Sequence, residues 1–367
     1  MKQAYQADEI FTGDEVLYNQ VILTEENFIK GFVKQGSVPS DYPLKHFPNC
    51  FIAPAFIDLQ IYGGNGKLFS NTLDMDALEA THDYCVAGGA AYFMITMATN
   101  SMDNILKGIH AVEAYWATGK KGLIGLHLEG PWINPIKKGA HIASFIKKPT
   151  LEDAELLLEN GQGTIKMITL APEQCDEEII DFLLKNEILI SAGHSSATYE
   201  DARHAFKLGI PAATHLFNAM SPLQGREPGL VGAIYDDPGV MCSIICDGIH
   251  VDFATVRISK KIMGRRLFFI TDAVTASSEG FYPHVFHGNR YTMPDGTLSG
   301  SCMTMISTFR NAVQQSGISI EEALKMCSVY PGSMLKNSYN GKIMPGNTTN
   351  MNIIDKDNLG LVSSVFN

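Results

Sequence analysis

The stretch Gly125-Leu126-His127-Leu128-Glu129-Gly130-Pro131-Trp132 sets a carboxylate at the end of a short apolar run that begins at Leu123. A carboxylate in that position must be solvated, paired or bound to a cation, because an isolated charge in apolar surroundings is too costly. The arrangement recurs along the chain. His194 closes the run from Ile188 to Gly193, His215 closes Ala212-Ala213-Thr214, and Asp272 closes Leu267 to Thr271. A charge or imidazole at the exit of a buried strand is what a parallel barrel displays at its active-site mouth. Taken alone, Glu129 reads as one half of a rim salt bridge. Beside two histidines on other strand ends, the reading as a metal ligand is preferred.

Working outward, eight apolar runs lie between about residues 53 and 272: Ile52 to Leu59, Ala90 to Met97, Leu123 to Leu128, Ile165 to Leu170, Ile188 to Ala192, Ala212 to Thr214, Cys242 to Cys246 and Leu267 to Thr271. Runs this apolar, without alternation, fit strands of a parallel sheet covered on both faces. Helical patterns separate several of them. Asp74 to Ala87 ends at Gly88-Gly89, Thr198 caps a helix through Leu208 that stops at Gly209, and Leu151 to Glu159 and Glu177 to Leu184 read alike. Together they predict an α/β protein built on a (β/α)8 barrel over residues 53–339. Pro283 to Ser301 breaks the rhythm, and Tyr291 to Leu298 reads as a hairpin with an Asp-Gly turn. Helices are expected near Thr304 to Gln315 and Ile320 to Val329. Short strands at Glu9 to Leu17, Val21 to Leu23 and Met351 to Ile354 predict a small β domain from both termini, residues 1–52 plus 340–367.

Composition excludes several classes. Charged residues make up 18% and hydrophobic ones 45%, the balance of a globular protein and not a disordered one. A net charge of -11 argues against nucleic acid or an anionic membrane as partner, and means that an anionic substrate needs local cations. No apolar stretch reaches membrane-spanning length, and Met1 to Glu9 has no apolar core of a signal peptide. The seven cysteines lack disulfide or metal spacing, so free thiols and a cytoplasmic location are expected.

His194 and His215, on successive strand termini, supply two imidazoles to go with the Glu129 carboxylate, a donor set suited to zinc or another divalent transition ion. Three protein ligands leave a coordination position open for water, as catalytic sites do. Asp272 could be a fourth ligand, an N-cap or a base, and the base is favoured. His250, after the seventh run, could contact substrate or polarise a carbonyl; an exposed loop histidine is nearly as good a reading. Arg226, in Gly225-Arg226-Glu227-Pro228-Gly229, is displayed by a stiff loop as a phosphate or carboxylate clamp, or belongs to a surface turn with Glu227. Backbone N–H groups of Asn218 and Ala219, at an expected helix start, would add to an anion site. His127 is assigned to the core or to a place behind the ligands. His82, His110 and His204 fall on helices as solvated residues, and no role is read for His46, His284 or His287.

These residues together resemble the amidohydrolase superfamily and, within it, the N-acetylglucosamine-6-phosphate deacetylases. The matching stretches are Pro54 to Asp58, Gly125 to Trp132, Lys138 to His141, Gly193 to Ser195, Thr214 to Met220, Gly225 to Gly229, Asp247 to His250 and Thr271 to Ala273, in family order. The resemblance implies a (β/α)8 barrel with a small β-sandwich domain formed from both termini. It implies Glu129, His194 and His215 as metal ligands and Asp272 as general base and acid. His250, also catalytic, and His141 become substrate contacts, Asn218 and Ala219 lie near the phosphate, and Arg226 reaches it across a homodimer. The histidine pair usual in the superfamily after the first strand is here Gln60-Ile61-Tyr62, so one divalent ion per chain is expected. Zinc is the first choice, with iron, manganese or cobalt as alternatives, and Gln60 is counted among the substrate contacts. The activity implied is hydrolysis of the acetamide of N-acetyl-D-glucosamine 6-phosphate to glucosamine 6-phosphate and acetate. The galactosamine epimer, a cyclic amide, and a non-catalytic sugar-phosphate-binding barrel are the alternatives.

Overall fold

Eight of the strands form one parallel sheet whose spatial order is the chain order: Phe56–Ile61, Ala90–Ala98, Leu123–Glu129, Ile165–Leu170, Leu189–Ala192, Ala212–Ala213, Met241–Ile244 and Leu267–Phe269. The structure is a computed structural model and describes residues 1–278, 280–335 and 339–366. The ring closes just beyond the eighth strand. Ile61 pairs in parallel with Ala273, Asp272 N–H donates to the Gln60 carbonyl at 3.0 Å, and Tyr62 N–H donates to the Ala273 carbonyl at 2.9 Å. The closing seam therefore brings Gln60, Tyr62 and Asp272 together, although more than 200 residues separate them in sequence. The expected barrel is present.

The run Ile52 to Leu59 divides in two. Its first part ends the strand Leu44–Pro54 of a different sheet, and the barrel begins at Phe56. Between them Pro54 has no N–H to donate, and Ala55 N–H goes to the Asn350 carbonyl at 3.1 Å. Crossover helices then alternate with the strands: Met75–Ala87, Met102–Ala117, Leu151–Gly161, Glu177–Lys185, Tyr199–Lys207, Gly229–Asp236 and Phe253–Met263. Each amphipathic pattern becomes a buried stripe; in Glu177–Lys185, Ile179, Ile180 and Leu183 are the buried positions. Oxygen caps start several helices. Ser101, Thr150 and Asp252 each accept a first-turn N–H, and Thr198 forms a reciprocal capping box with Asp201. The hairpin is found as well: Thr292 pairs with Leu298, and Gly296 N–H donates to the Met293 carbonyl at 2.9 Å.

The terminal strands form a second sheet of seven strands. Lys2–Phe11 lies at its middle, parallel to Leu44–Pro54 and antiparallel to Gln20–Glu25, and Met351–Asp355 from the far end of the chain pairs with Leu44–Pro54. Alternation along Gln20–Glu25 sends Ile22 into one apolar cluster and Val21 and Leu23 into another, so both faces of the sheet are covered. By compactness the chain divides into Met1–Asp58, Cys85–Tyr92 and Thr304–Asn367 in one unit and Leu59–Tyr84 with Phe93–Met303 in the other. The first unit takes in more of the chain than 1–52 and 340–367. It includes the helices Met305–Gln314 and Ile320–Cys327.

Thr198→Ala removes the oxygen that accepts Asp201 N–H at the start of Tyr199–Lys207. The expected cost is about 1 kcal/mol, read as a lower urea midpoint at unchanged slope. A midpoint equal to that of the parent protein would show that the cap contributes nothing.

Candidate active site

Every strand-end group singled out in the sequence lies at the carboxyl end of the barrel strands. Glu129 is the last residue of the third strand and is 1% exposed; His194, His215 and Asp272 follow the fifth, sixth and eighth strands and are buried. The backbone at these three residues takes left-handed values, with φ of 47°, 39° and 53°. Such conformations are unfavourable for residues with a Cβ and persist where surroundings enforce them, often at functional sites. Ser243 enforces one of them, since its hydroxyl accepts His215 N–H at 2.8 Å and its carbonyl accepts Leu216 N–H at 2.8 Å. The turn aims the imidazole across the mouth.

The side chains converge on the Glu129 carboxylate. Its Oε1 lies 2.9 Å from His215 Nε2 and 3.3 Å from His194 Nε2, and those two nitrogens are 3.1 Å apart. Its Oε2 lies 3.1 Å from His141 Nε2 and accepts the Tyr62 hydroxyl. Burial opposes ionisation of Glu129, but the field of His194 and hydrogen bonds from His141, His194 and His215 hold it well below the usual carboxylate range. Glu129, His141 and His194 offer ligand atoms that all lie within 4.8 Å of one another, a candidate metal site.

The ring nitrogens facing away from the cluster distinguish the histidines. His194 Nδ1 lies 2.8 Å from the Lys137 carbonyl, so it carries the proton of a neutral ring, whose Nε2 then offers its lone pair to a cation beside Glu129. At His141, Nδ1 accepts Thr99 N–H at 3.2 Å, which puts the proton of the neutral ring on Nε2, a donor to Glu129. Burial, then repulsion from His194, lowers the pKa of His141 to about 4, so that ring is neutral near pH 7. His215 Nδ1 is buried without a hydrogen-bond partner among the described residues.

Asp272 stands beside the cluster. Gln60 Nε2 donates to Asp272 Oδ1 at 2.8 Å and to Glu129 Oε1 at 3.0 Å. Burial, reinforced by the Glu129 charge and opposed by His215, raises the Asp272 pKa to about 6. His250 Nδ1 is bound by Asp247 Oδ2 at 2.6 Å, which fixes the ring and leaves Nε2 available. Asp247 accepts His250 N–H as well, at 2.8 Å, and that histidine draws its pKa down against burial. His127 lies beneath, fully buried, with Nε2 at 2.7 Å from Thr169 Oγ1; burial lowers its pKa to about 4. It is a core residue of the barrel.

A cavity of about 160 Å³ opens on the cluster, and Glu129, His141, His194, His215, His250 and Asp272 line it. Asn218 and Ala219 line it too, but two details of the expected anion site are corrected. They lie in a turn and not at a helix start, because Phe217 and Ala219 take left-handed φ values of 76° and 49°, and the next helix begins at Gly229. Asn218 N–H is already used by the His215 carbonyl at 2.9 Å. Gln60 is also corrected: it does not line the cavity, since its amide is held between two carboxylates inside the barrel. Arg226 is exposed in the loop before the sixth crossover helix and does not line the cavity. The sequence reading passed over Tyr62, Tyr282, His284 and Asp247. Asp247 carries a signal, the Asp-x-x-His spacing, whereas Tyr282 and His284 come from the segment that interrupted the strand–helix rhythm.

Residues 51–367 match the amidohydrolase family. The chain belongs to that family. Among its relatives, a Haemophilus influenzae N-acetylglucosamine-6-phosphate deacetylase is 33% identical over 342 residues, 90% of this chain and 89% of that one. An Escherichia coli O157:H7 N-acetylgalactosamine-6-phosphate deacetylase is 29% identical, with 83% of each chain covered. The crystal structure of the Pasteurella multocida N-acetylglucosamine-6-phosphate deacetylase superposes with a TM-score of 0.95 at 30% identity, covering 100% of this chain and 98% of that one. No helix among the described residues is long and apolar enough to cross a membrane.

Gln60→Leu should disturb the site without emptying it. Loss of the amide that orients Glu129 is expected to weaken divalent-ion affinity by about 10–100-fold in competition with a chelator. Unchanged affinity would show that the bridge orients nothing.

Proposed function

We propose that this amidohydrolase is a metal-dependent deacetylase of N-acetyl-D-glucosamine 6-phosphate, releasing acetate and glucosamine 6-phosphate in amino-sugar catabolism. The observation that carries the reading is the lone-pair geometry at the Glu129 carboxylate, with Asp272 one amide bridge away, in a chain whose relatives bear that activity in their names. The donor set fits a divalent ion: Glu129, His194 and His215 would hold it, one per chain, and zinc suits two imidazoles and a carboxylate. His141 would not, because its proton points at Glu129. When bound, the ion supplies Lewis acidity to the acetamide carbonyl and to an attacking water.

The protein's own groups account for the rest. Asp272, ionised and beside the cluster, takes the proton of the attacking water and returns it to the departing nitrogen. His250, held through Nδ1 by Asp247, lines the cavity beside the reacting centre, and with both ring nitrogens protonated it would donate from Nε2 to the carbonyl oxygen as charge develops there. His141, its Nε2 proton given to Glu129, borders the sugar at the cavity wall. Asn218 and Ala219 border the phosphate. Arg226, exposed and outside its own cavity, is assigned to the phosphate of the neighbouring subunit in a homodimer. All seven cysteines are free, which fits a reducing compartment and supports a cytoplasmic location.

The relative acting on the galactosamine epimer favours one second reading, that epimer as substrate. Measuring acetate release from both epimeric 6-phosphates tests the assignment. Faster turnover of the glucosamine derivative is expected; activity on neither would refute it.

Asp272 must be ionised to act as a base, so activity should fall as pH drops through about 6, with a bound cation moving that limb lower. Asp272→Asn should abolish the limb and lower kcat by about 10²-fold or more while the ion is retained. Near-normal turnover in that variant would remove Asp272 from the chemistry. For Arg226, mixing Arg226→Ala with Asp272→Asn subunits should recover up to about a quarter of parental activity, since half the random dimers are hybrids with one complete site. Hybrids that form and stay inactive would place Arg226 in its own chain's site or outside the reaction.

A further inference from the structure

The carboxylate of Glu173 has no use in the deacetylation just described. It stands in the short turn Pro172–Gln174 that follows the fourth barrel strand, and it is half-buried. Its two oxygens take three donors. Oε2 accepts the Ser195 hydroxyl at 2.6 Å, and Oε1 accepts Ser196 N–H at 2.6 Å and the Asn134 Nδ2 amide at 2.9 Å. All three donors are uncharged, and bonds of this kind to a carboxylate are short, strong and directional.

Those donors belong to the two segments that meet at His194. Ser195 and Ser196 follow it directly, and Asn134 opens the turn that runs to Lys137. Asn134 N–H donates to the His194 carbonyl at 2.9 Å, and the Lys137 carbonyl accepts from His194 Nδ1 at 2.8 Å. The same asparagine uses both ends of its side chain. Its Oδ1 caps the Lys137 turn by accepting Ile136 N–H at 2.9 Å, while Nδ2 is the end that Glu173 holds. Lys137 N–H returns to the Asn134 carbonyl at 2.9 Å, which closes the turn. The aim of the Lys137 carbonyl therefore depends on a turn that Glu173 anchors. His194 itself takes a left-handed φ of 47°, a conformation that surroundings must enforce. Ser195, next in the chain, is fully buried and gives its N–H to the Ala219 carbonyl at 3.0 Å.

We propose that Glu173 is a positioning residue of the metal centre, which clamps the Asn134–Lys137 turn to Ser195 and Ser196 and so keeps His194 a ligand and not a donor. The inference rests on the metal-dependent reading above. A neutral imidazole carries one proton. While the Lys137 carbonyl faces Nδ1 the proton stays there, and Nε2 is free for a cation. Without the clamp the turn can draw away from the ring, and the tautomer with its proton on Nε2 gains. His194 Nε2 lies 3.3 Å from Glu129 Oε1, so that tautomer would donate to Glu129 as His141 does and would be closed to an ion. Groups behind a ligating histidine govern metal affinity in this way, through the tautomer and the orientation of the ring.

The test uses the full chain with zinc as the probe ion, in the parent protein, in Glu173→Ala and in Glu173→Gln. In competition with a chelator, Glu173→Ala should bind zinc about 10–100-fold more weakly. Glu173→Gln should recover most of that loss, since its oxygen can still accept Asn134 and Ser196 and its amide can donate to the Ser195 hydroxyl. With zinc removed, nitrogen NMR spectra of histidine-labelled protein should show His194 protonated at Nδ1 in the parent and shifted toward Nε2 protonation in Glu173→Ala. Unchanged zinc affinity in Glu173→Ala would overturn the proposal. So would a weakened affinity with the His194 tautomer unmoved, or a Glu173→Gln variant as impaired as Glu173→Ala. If Glu173→Ala does not fold, Asn134→Ala cuts the same clamp from its other side; weaker zinc binding is expected there too, and unchanged binding would overturn the proposal. A parent protein that takes up no divalent ion would refute the metal-dependent reading itself, and this proposal with it.

Discussion

The organising constraint is a single buried carboxylate. Glu129, 1% exposed at the end of a barrel strand, would be prohibitively costly to ionise without partners, and hydrogen-bond donors of Gln60, Tyr62 and His141 gather round it together with the ring nitrogens of His194 and His215. Those partners arrive from separate strand ends. Gln60 and Tyr62 come with the closing seam, His194 and His215 with left-handed turns after the fifth and sixth strands, and His141 with the loop that follows Glu129 itself. The barrel's closure and the site's electrostatics are thus one structure, because the seam that completes the sheet also places an amide between Glu129 and Asp272.

The histidines of the cluster are alike in burial and different in the groups behind them. A backbone carbonyl behind His194 frees its lone pair for a cation, and a backbone N–H behind His141 makes that ring a donor. The same logic separates Asp272 from Glu129. Glu129 sits among imidazoles and is held ionised, while Asp272 is raised by burial toward the range in which a carboxyl group can take and return a proton.

Much of this was legible in the sequence because a parallel barrel writes its mouth as a polar residue after a short apolar run. Glu129, His194, His215 and Asp272 obey that rule, and the helices around them carry ordinary caps such as Thr198 and Thr150. The Asn218–Ala219 turn was not legible, since left-handed φ at Phe217 and Ala219 occurs without the glycines that usually announce it. Gln60 reads as a polar residue near substrate, but its direction depends on the seam, a contact between residues 60 and 272 that no local pattern encodes. His284 escaped for a related reason. It reaches the cavity from a segment without helical or strand periodicity, and its burial comes from Tyr282, Ser277 and Ser299.

The central claim is that Glu129, His194 and His215 hold one divalent ion while His141 stands aside as a proton donor. A crystal structure of the metal-loaded protein with anomalous data at the metal edge tests it most directly. One peak is expected, about 2.0–2.2 Å from a Glu129 carboxylate oxygen and from Nε2 of His194 and His215, with His141 beyond bonding distance. A peak bonded to His141 in place of His215, or a second ion beside Gln60 and Tyr62, would contradict the account.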